Sequence, residues 1–142
     1  MNRYKELMAR RNEIMKKAVR LDYDSYEFKA IGFDYERMMA DTGYGLEEVR
    51  RIQAASGVGG TPLKELRNIT ALARKFAKPG CGARIFIKDE ALNDSGSFKA
   101  RRAALSCYHA KRLGYPGVIT ATSGNYGAAV ASQAAKLGLK CI

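Results

Sequence analysis

The sequence predicts an α/β fold, the opening part of a parallel-sheet domain preceded by a helical N-terminal segment. Three observations predict it. From Ala83 onward, short apolar runs alternate with helical stretches: ARIFIK, then Phe98 to Leu113, then VITATS, then Asn125 to Leu137, then LKCI. The connections between them are short, and a β-α-β-α-β order joined that way implies parallel strands with right-handed crossovers. Before Gly57 the pattern is helical or irregular, so the chain divides into a helical extension, 1–56, and an incomplete α/β unit, 57–142.

Taken in order, residues 2–20 read as one amphipathic helix. Tyr4, Leu7, Met8, Ile14, Met15 and Ala18 share one side, with Arg10, Glu13, Lys16, Lys17 and Arg20 mostly opposite. We expect that apolar stripe to dock on the rest of the protein. Residues 21–33 lack a helical period and read as a loop. Asp34 is placed to cap a short helix, DYERMMAD, that stops at Gly43. LEEVRRIQAAS is a further helix with a glycine stop at Gly57.

Gly57 to Leu63 is a glycine-rich turn. It lacks the Gly-Lys-Ser/Thr ending of a nucleotide P-loop, and Pro62 fixes the entry to an extended piece, TPLKEL. A helix over 70–77 follows, closed by Pro79 and Gly80. ARIFIK is a short strand. The helix from Phe98 carries a small-residue face of Ala100, Ala103, Ala104 and Cys107. Gly114 to Gly117 is a turn, VITATS a buried strand, and the alanine-rich helix from Asn125 ends at Gly138. LKCI, at the end of the 142 residues, has the character of a buried strand. Three short parallel strands would leave apolar faces and an unpaired edge. We therefore expect a longer polypeptide, or a second chain, to complete the sheet.

Composition excludes several classes. No apolar run approaches the ~18 residues of a membrane span, and the N-terminus has no apolar signal region. Glu6 and Glu13 speak against a transit peptide. The three cysteines form no CxxC pair, and there is one histidine. The reading is reduced thiols in a cytoplasmic protein, with neither a disulfide frame nor a metal site. The net charge of +11 invites a nucleic-acid reading. The basic residues are dispersed, however, and no nucleic-acid-binding motif accompanies them, so neither nucleic acid nor membrane is an expected partner.

The chemistry concentrates in two turns where a strand meets a helix. Asn93-Asp94-Ser95-Gly96-Ser97 leads into Phe98 and Lys99. Its small residues let a ligand approach, Phe98 offers a plate for a flat ring, and Lys99 presents an amine suited to a carbonyl. Thr122-Ser123-Gly124-Asn125 opens the next helix. Free N–H groups there, with two hydroxyls, suit an anion, although an ordinary hydroxyl cap reads the same way. If the two strands are neighbours, roughly 5 Å apart, an amine and an anion cradle face each other, an arrangement that suits an amino acid held as an imine.

These motifs carry a resemblance. GSFKA at Gly96–Ala100, ATSGNYGAAVASQAAKLGLKC at Ala121–Cys141 and GGTPL at Gly59–Leu63 resemble the fold type II pyridoxal-phosphate enzymes, the group of tryptophan synthase beta chain, threonine synthase, threonine dehydratase and cysteine synthase. The resemblance implies pyridoxal 5'-phosphate as cofactor, with Lys99 as the lysine that joins it covalently, Phe98 packed near it and Asn125 bonded to its ring hydroxyl. It implies that Thr122, Ser123 and Gly124 grip the substrate carboxylate and that Thr61 lines the site. Ala100 departs from the acidic or amide residue often found there. The family's phosphate loop and pyridine-nitrogen partner lie downstream of these 142 residues.

Within the group, RYKELMARRNEIMKKA and FDYERMMADTGYGLEEVRRIQ resemble the 2-amino-4-ketopentanoate thiolase beta-subunit family of anaerobic ornithine breakdown. That resemblance implies thiolysis of 2-amino-4-oxopentanoate by coenzyme A to acetyl-CoA and alanine, with a smaller alpha subunit and a homo-oligomer. The alternatives are a β-replacement or elimination enzyme of the same superfamily, and a non-catalytic basic scaffold.

Overall fold

The computed structural model describes residues 3–28 and 32–142. Met1, the predicted helix start at Asn2 and residues 29–31 of the predicted loop lie outside the described residues. The single N-terminal helix expected over 2–20 is two, α1 (Arg3–Ala9) and α2 (Arg11–Val19), parted at Arg10. Leu7, Met8 and Ile14 remain exposed, so along α1 the predicted stripe does not dock. Helix α2 is held by polar contacts instead. The Asn12 side chain accepts from the Tyr23 N–H (2.7 Å) and donates to Asp22 (2.8 Å).

The predicted loop after it is partly ordered. A 3₁₀ turn (Tyr23–Tyr26) leads to β1 (Glu27–Phe28), which pairs antiparallel with β2 (Gly32–Phe33). Gly32 leaves room for the Phe28 ring, which a Cβ would meet at 2.4 Å. Phe33 stacks between Tyr23 (4.6 Å) and Tyr35 (4.7 Å). These rings anchor the segment, and aromatic clusters carry no helical or strand period.

Helix α3 (Tyr35–Asp41) begins as expected, with the Asp34 carboxylate accepting from the Arg37 N–H at 2.9 Å. Helix α4 (Leu46–Ala55) buries Ile52 and ends before Gly57, whose φ of +66° is the left-handed stop. Strand β3 (Leu63–Glu65), helix α5 (Arg67–Lys75) and strand β4 (Phe86–Lys88) follow. Then come α6 (Lys99–Arg112), β5 (Gly117–Val118), α7 (Asn125–Leu137) and β6 (Lys140–Cys141).

The parallel reading holds for β5 and β6, which pair in parallel around α7. Bonds from Thr120 N–H to the Ile142 carbonyl (3.0 Å) and from Ile142 N–H to the Val118 carbonyl (3.1 Å) extend that ladder. It does not hold for β4. That strand pairs antiparallel with β3, Leu63 against Lys88 and Glu65 against Phe86. Among the described residues it shares no ladder with β5. Helix α5 returns the chain beside TPLKEL, and Thr70 Oγ1 accepts from the Ile85 N–H (2.9 Å) to set the approach. VITATS is likewise not a buried strand. Its ladder takes in only Val118 and the Thr120 N–H, and Ile119 is 79% exposed because the described residues leave that face uncovered.

The core lies between α6 and α7. Ala103, Cys107, Ala129 and Ala134 are fully buried, with Val130 and Leu139 beside them. Small side chains let the two backbones approach closely, so van der Waals contact replaces large side chains. Burial pushes the Cys107 thiol up to about 11. Val58 packs with Ala100 and Ala104 in a second, smaller cluster on α6. Among the described residues, no helix is long and apolar enough to cross a membrane, and no group of three or more acidic, His or Cys side chains forms a metal site.

Candidate functional site

Lys99 is the first residue of α6. Gly96 precedes it at φ +71°, and Ser97 Oγ accepts from the Lys99 N–H at 3.3 Å. The half-buried Lys99 places Nζ 4.3 Å from the centre of the Phe98 ring. Among the described residues its ammonium makes no hydrogen bond or ion pair. The plate expected to face a ligand ring is in contact with the lysine's own cation.

The second turn is built around Thr122. Its Oγ1 accepts from the N–H groups of Gly124 (3.1 Å) and Gly127 (3.0 Å). That hydroxyl therefore caps α7. The Ala128 N–H is satisfied by the Gly124 carbonyl (3.2 Å). Of the donors a helix start leaves over, those of Asn125 and Tyr126 have no acceptor among the described residues. The side chains of Ser123 and Asn125 are exposed and make no hydrogen bond there either. Gly124 has a φ of +154°, and nothing lies within 4 Å of where its Cβ would be. The backbone of this turn is open to a ligand from that side.

Among the described residues, no hydrogen bond or ring contact joins Lys99 or Phe98 directly to the Thr122–Asn125 turn. The link is one helical turn inward, where the Arg102 guanidinium lies 4.9 Å from the Tyr126 ring centre and the Tyr126 hydroxyl 3.4 Å from Ser106 Oγ.

Thr61 bonds within a separate cluster. Its buried hydroxyl donates to Glu90 Oε1 at 2.6 Å. Glu90 also takes a two-pronged bond from Arg101 (2.7 and 2.8 Å) and one from Asn93 (3.0 Å). Asn93 Oδ1 accepts from the Gly59 N–H at 2.9 Å, and Lys88 Nζ bonds the Thr61 carbonyl. The Arg101 guanidinium, with help from Thr61, holds the Glu90 carboxyl down at about 2. Sequence reasoning missed Glu90, Asn93 and Arg101. This cluster fastens the GGTPL turn to the loop that delivers Lys99.

A cleft of about 560 Å³ was also missed. It lies between the N-terminal segment and α6. His109 sits in its wall, taking a hydrogen bond on Nδ1 from the Tyr44 hydroxyl (2.7 Å), with Nε2 3.4 Å from the Val19 carbonyl. Burial, and to a lesser degree Arg112, hold this imidazole below its ordinary 6.5 despite the Val19 bond.

The profile of the family described as "Pyridoxal-phosphate dependent enzyme" matches residues 54–142. The chain belongs to that family. Its match contains both turns and the Thr61 cluster. The donor set fits the cofactor: among the described residues, a primary amine without an ion-pair partner for its aldehyde, and an unbonded amide and open helix donors for oxygen groups. The chain is 70% identical to the 2-amino-4-ketopentanoate thiolase beta subunit of Acetoanaerobium sticklandii, over 98% of this chain and 30% of that protein. A second thiolase beta subunit, from an unknown prokaryotic organism, is 67% identical over 98% of this chain and 29% of its own length. The tryptophan synthase beta chain of Methylobacterium radiotolerans is 36% identical over 58% of this chain. The chain thus spans about three tenths of the length of the two thiolase relatives. No solved structure gives a significant match.

Proposed function

We propose that this chain serves in the thiolysis of 2-amino-4-oxopentanoate by coenzyme A, as part of a beta subunit that works with a smaller alpha subunit. The observation that carries the reading is 70% identity to a thiolase beta subunit over 98% of the chain, N-terminal segment included. In the balanced reaction the thiol sulfur bonds to the C4 carbonyl carbon and the C3–C4 bond breaks. The electron pair stays with C3, which takes a proton, and the products are acetyl-CoA and alanine.

Lys99 and Asn125 would hold pyridoxal phosphate, with Phe98 beside it. When bound, the cofactor supplies an electron sink for negative charge built up next to the amino-bearing carbon. The Lys99 amine takes the Cα proton and returns one later. The open N–H groups of Asn125 and Tyr126, with the Ser123 hydroxyl beside Gly124, bind the substrate carboxylate. Thr122 positions that turn through its cap. Thr61 acts at a distance, by holding Glu90 in the loop before Lys99.

The test is product formation by the full chain with its small subunit. Acetyl-CoA and alanine appear together from 2-amino-4-oxopentanoate and coenzyme A. Conversion of serine, threonine or a phosphorylated homoserine, with no acetyl-CoA from the keto acid, would move the chain to another branch of the family.

A further inference from the structure

We infer that the cleft between the N-terminal segment and α6 seats the pantetheine arm of the thiol co-substrate, with its sulfur directed to the Lys99 end. The inference rests on the thiolysis reading above and adds the place where coenzyme A binds. Three observations carry it.

The first is position on α6. Arg102, Ser106 and His109 line the cleft, and Lys99 continues the same stripe, since residues three and four apart lie on one helix face. The cleft therefore runs along the helix toward the turn that carries the lysine.

The second is its chemistry. The middle is apolar and pliable, with Val19, Leu21, Met38, Met39 and Leu105. Methionines suit a flexible chain of methylenes and amides. Each end has an arginine: Arg102 lines the cleft, and Arg112, outside the lining, reaches the Thr42 carbonyl in the opposite wall and His109 Nδ1, both at 3.3 Å. The Arg102 guanidinium lies over the Tyr126 ring, and that of Arg112 lies 4.5 Å from the ring centre of Tyr44 in the cleft wall. Neither arginine forms an ion pair with a described carboxylate, although arginines such as Arg51, Arg84 and Arg101 do. From Arg102 to Arg112 the helix rises about 15 Å. The arm from sulfur to the first phosphorus is a zigzag of about a dozen bonds of ~1.5 Å, or roughly 15 Å extended. One guanidinium then meets the thiolate and the other the phosphates.

The third is which relatives share the walls. Val19 to Tyr44 lies outside the family stretch, 54–142. The thiolase relatives align over 139 residues and so include these walls. The tryptophan synthase and threonine synthase matches, over 83 and 84 residues, are too short to span both the family stretch and this segment. The wall goes with the thiolases, whose reaction in our reading differs by its use of a thiol.

The experiment measures direct binding of coenzyme A and of pantetheine to the full chain with its small subunit, by calorimetry. Met39→Trp fills the cleft and should weaken both ligands at least tenfold, with the cofactor absorbance unchanged. Met8→Trp, on exposed α1, should leave both affinities alone. Arg102→Gln, which needs no repacking, should raise the KM for coenzyme A several-fold and leave that for the amino acid unchanged. Unchanged coenzyme A affinity in a folded Met39→Trp protein overturns the site. So does loss of the small subunit with coenzyme A affinity retained, which would make the cleft a subunit contact. If Met39→Trp does not fold, an unchanged KM for coenzyme A in Arg102→Gln overturns it. Coenzyme A bound in the cleft without thiolysis would overturn the reaction and spare the site, whereas thiolysis insensitive to both substitutions would do the reverse.

Discussion

The Tyr44 hydroxyl lies 2.7 Å from Nδ1 of His109 and ties the N-terminal segment to the middle of α6. An Arg112 N–H also points at Nδ1, from 3.3 Å. Two donors on one nitrogen make it the acceptor, so the ring proton sits on Nε2, facing the Val19 carbonyl. That arrangement exists only for neutral imidazole.

Tyr44→Phe should therefore cost about 1 kcal/mol of stability, the usual net worth of such a bond. It should also raise the His109 titration midpoint, because the lost donor favoured the neutral ring. In the wild-type chain the midpoint lies below the ordinary 6.5. The unfolded chain then takes up the proton first, so this contribution to stability is complete above pH 6.5 and is lost as pH falls through the folded value. Titration of the His109 ring protons by NMR checks both statements, and a wild-type midpoint at or above 6.5 would count against them.

Glu90 predicts a second pH dependence with a lower window. Its carboxyl titrates at about 2 in the folded chain against an ordinary 4.5. The stabilisation is present above pH 4.5 and disappears as pH falls toward 2. Glu90→Gln should flatten the stability curve between those values in urea unfolding series. It should also loosen the loop before Lys99, since Thr61, Asn93 and Arg101 all bond that carboxylate. An unchanged acid limb would mean that the cluster does not hold in solution.

Local signals in the sequence were legible where one turn of chain sets the structure. Asp34 caps α3, Gly57 and Gly138 stop their helices, and α7 runs from Asn125 to Leu137 as its alanines and terminal glycines predicted. Pairing was less legible. ARIFIK has the same local character beside TPLKEL as it would beside VITATS, and Ile85 chooses through Thr70, fifteen residues away. At the candidate site, the placement of Lys99 and Asn125 at helix starts was legible because small-residue turns and helix starts are local. Glu90 and Arg101, eleven residues apart, meet across a turn and the start of a helix, so no single element's periodicity links them. Tyr44 and His109 meet across 65 positions.

Lys99→Ala in the full chain should abolish the visible absorbance of a lysine-bound cofactor. Asn125→Ala should keep the cofactor, shift the band and slow turnover, because the amide makes no bond among the described residues and its loss leaves α7 intact. The two outcomes separate attachment from tuning. A full-strength band in the Lys99 variant would remove the lysine from its proposed role, and an unshifted band with normal turnover would do the same for Asn125.

Gly127 tests the carboxylate turn without touching a proposed ligand contact. A Cβ there would stand 2.3 Å from Cγ2 of Thr122 and 3.5 Å from its Oγ1. Thr122 cannot retreat cheaply. It is β-branched, so turning χ1 to move the methyl also moves the oxygen that accepts from Gly124 and Gly127. Gly127 lies within α7, where alanine itself is the better helix former, so helix content should hold or rise slightly. The expected result for Gly127→Ala is thus a folded protein with a displaced Thr122–Asn125 turn. Its KM for the amino-acid substrate should rise about tenfold, for a loss near 1.4 kcal/mol, and the cofactor band should shift as Asn125 moves with the turn, while coenzyme A affinity stays as in the wild type. A KM left unchanged in the folded variant would mean that this turn does not bind the substrate carboxylate, and loss of coenzyme A affinity alongside would place both ligands on one element.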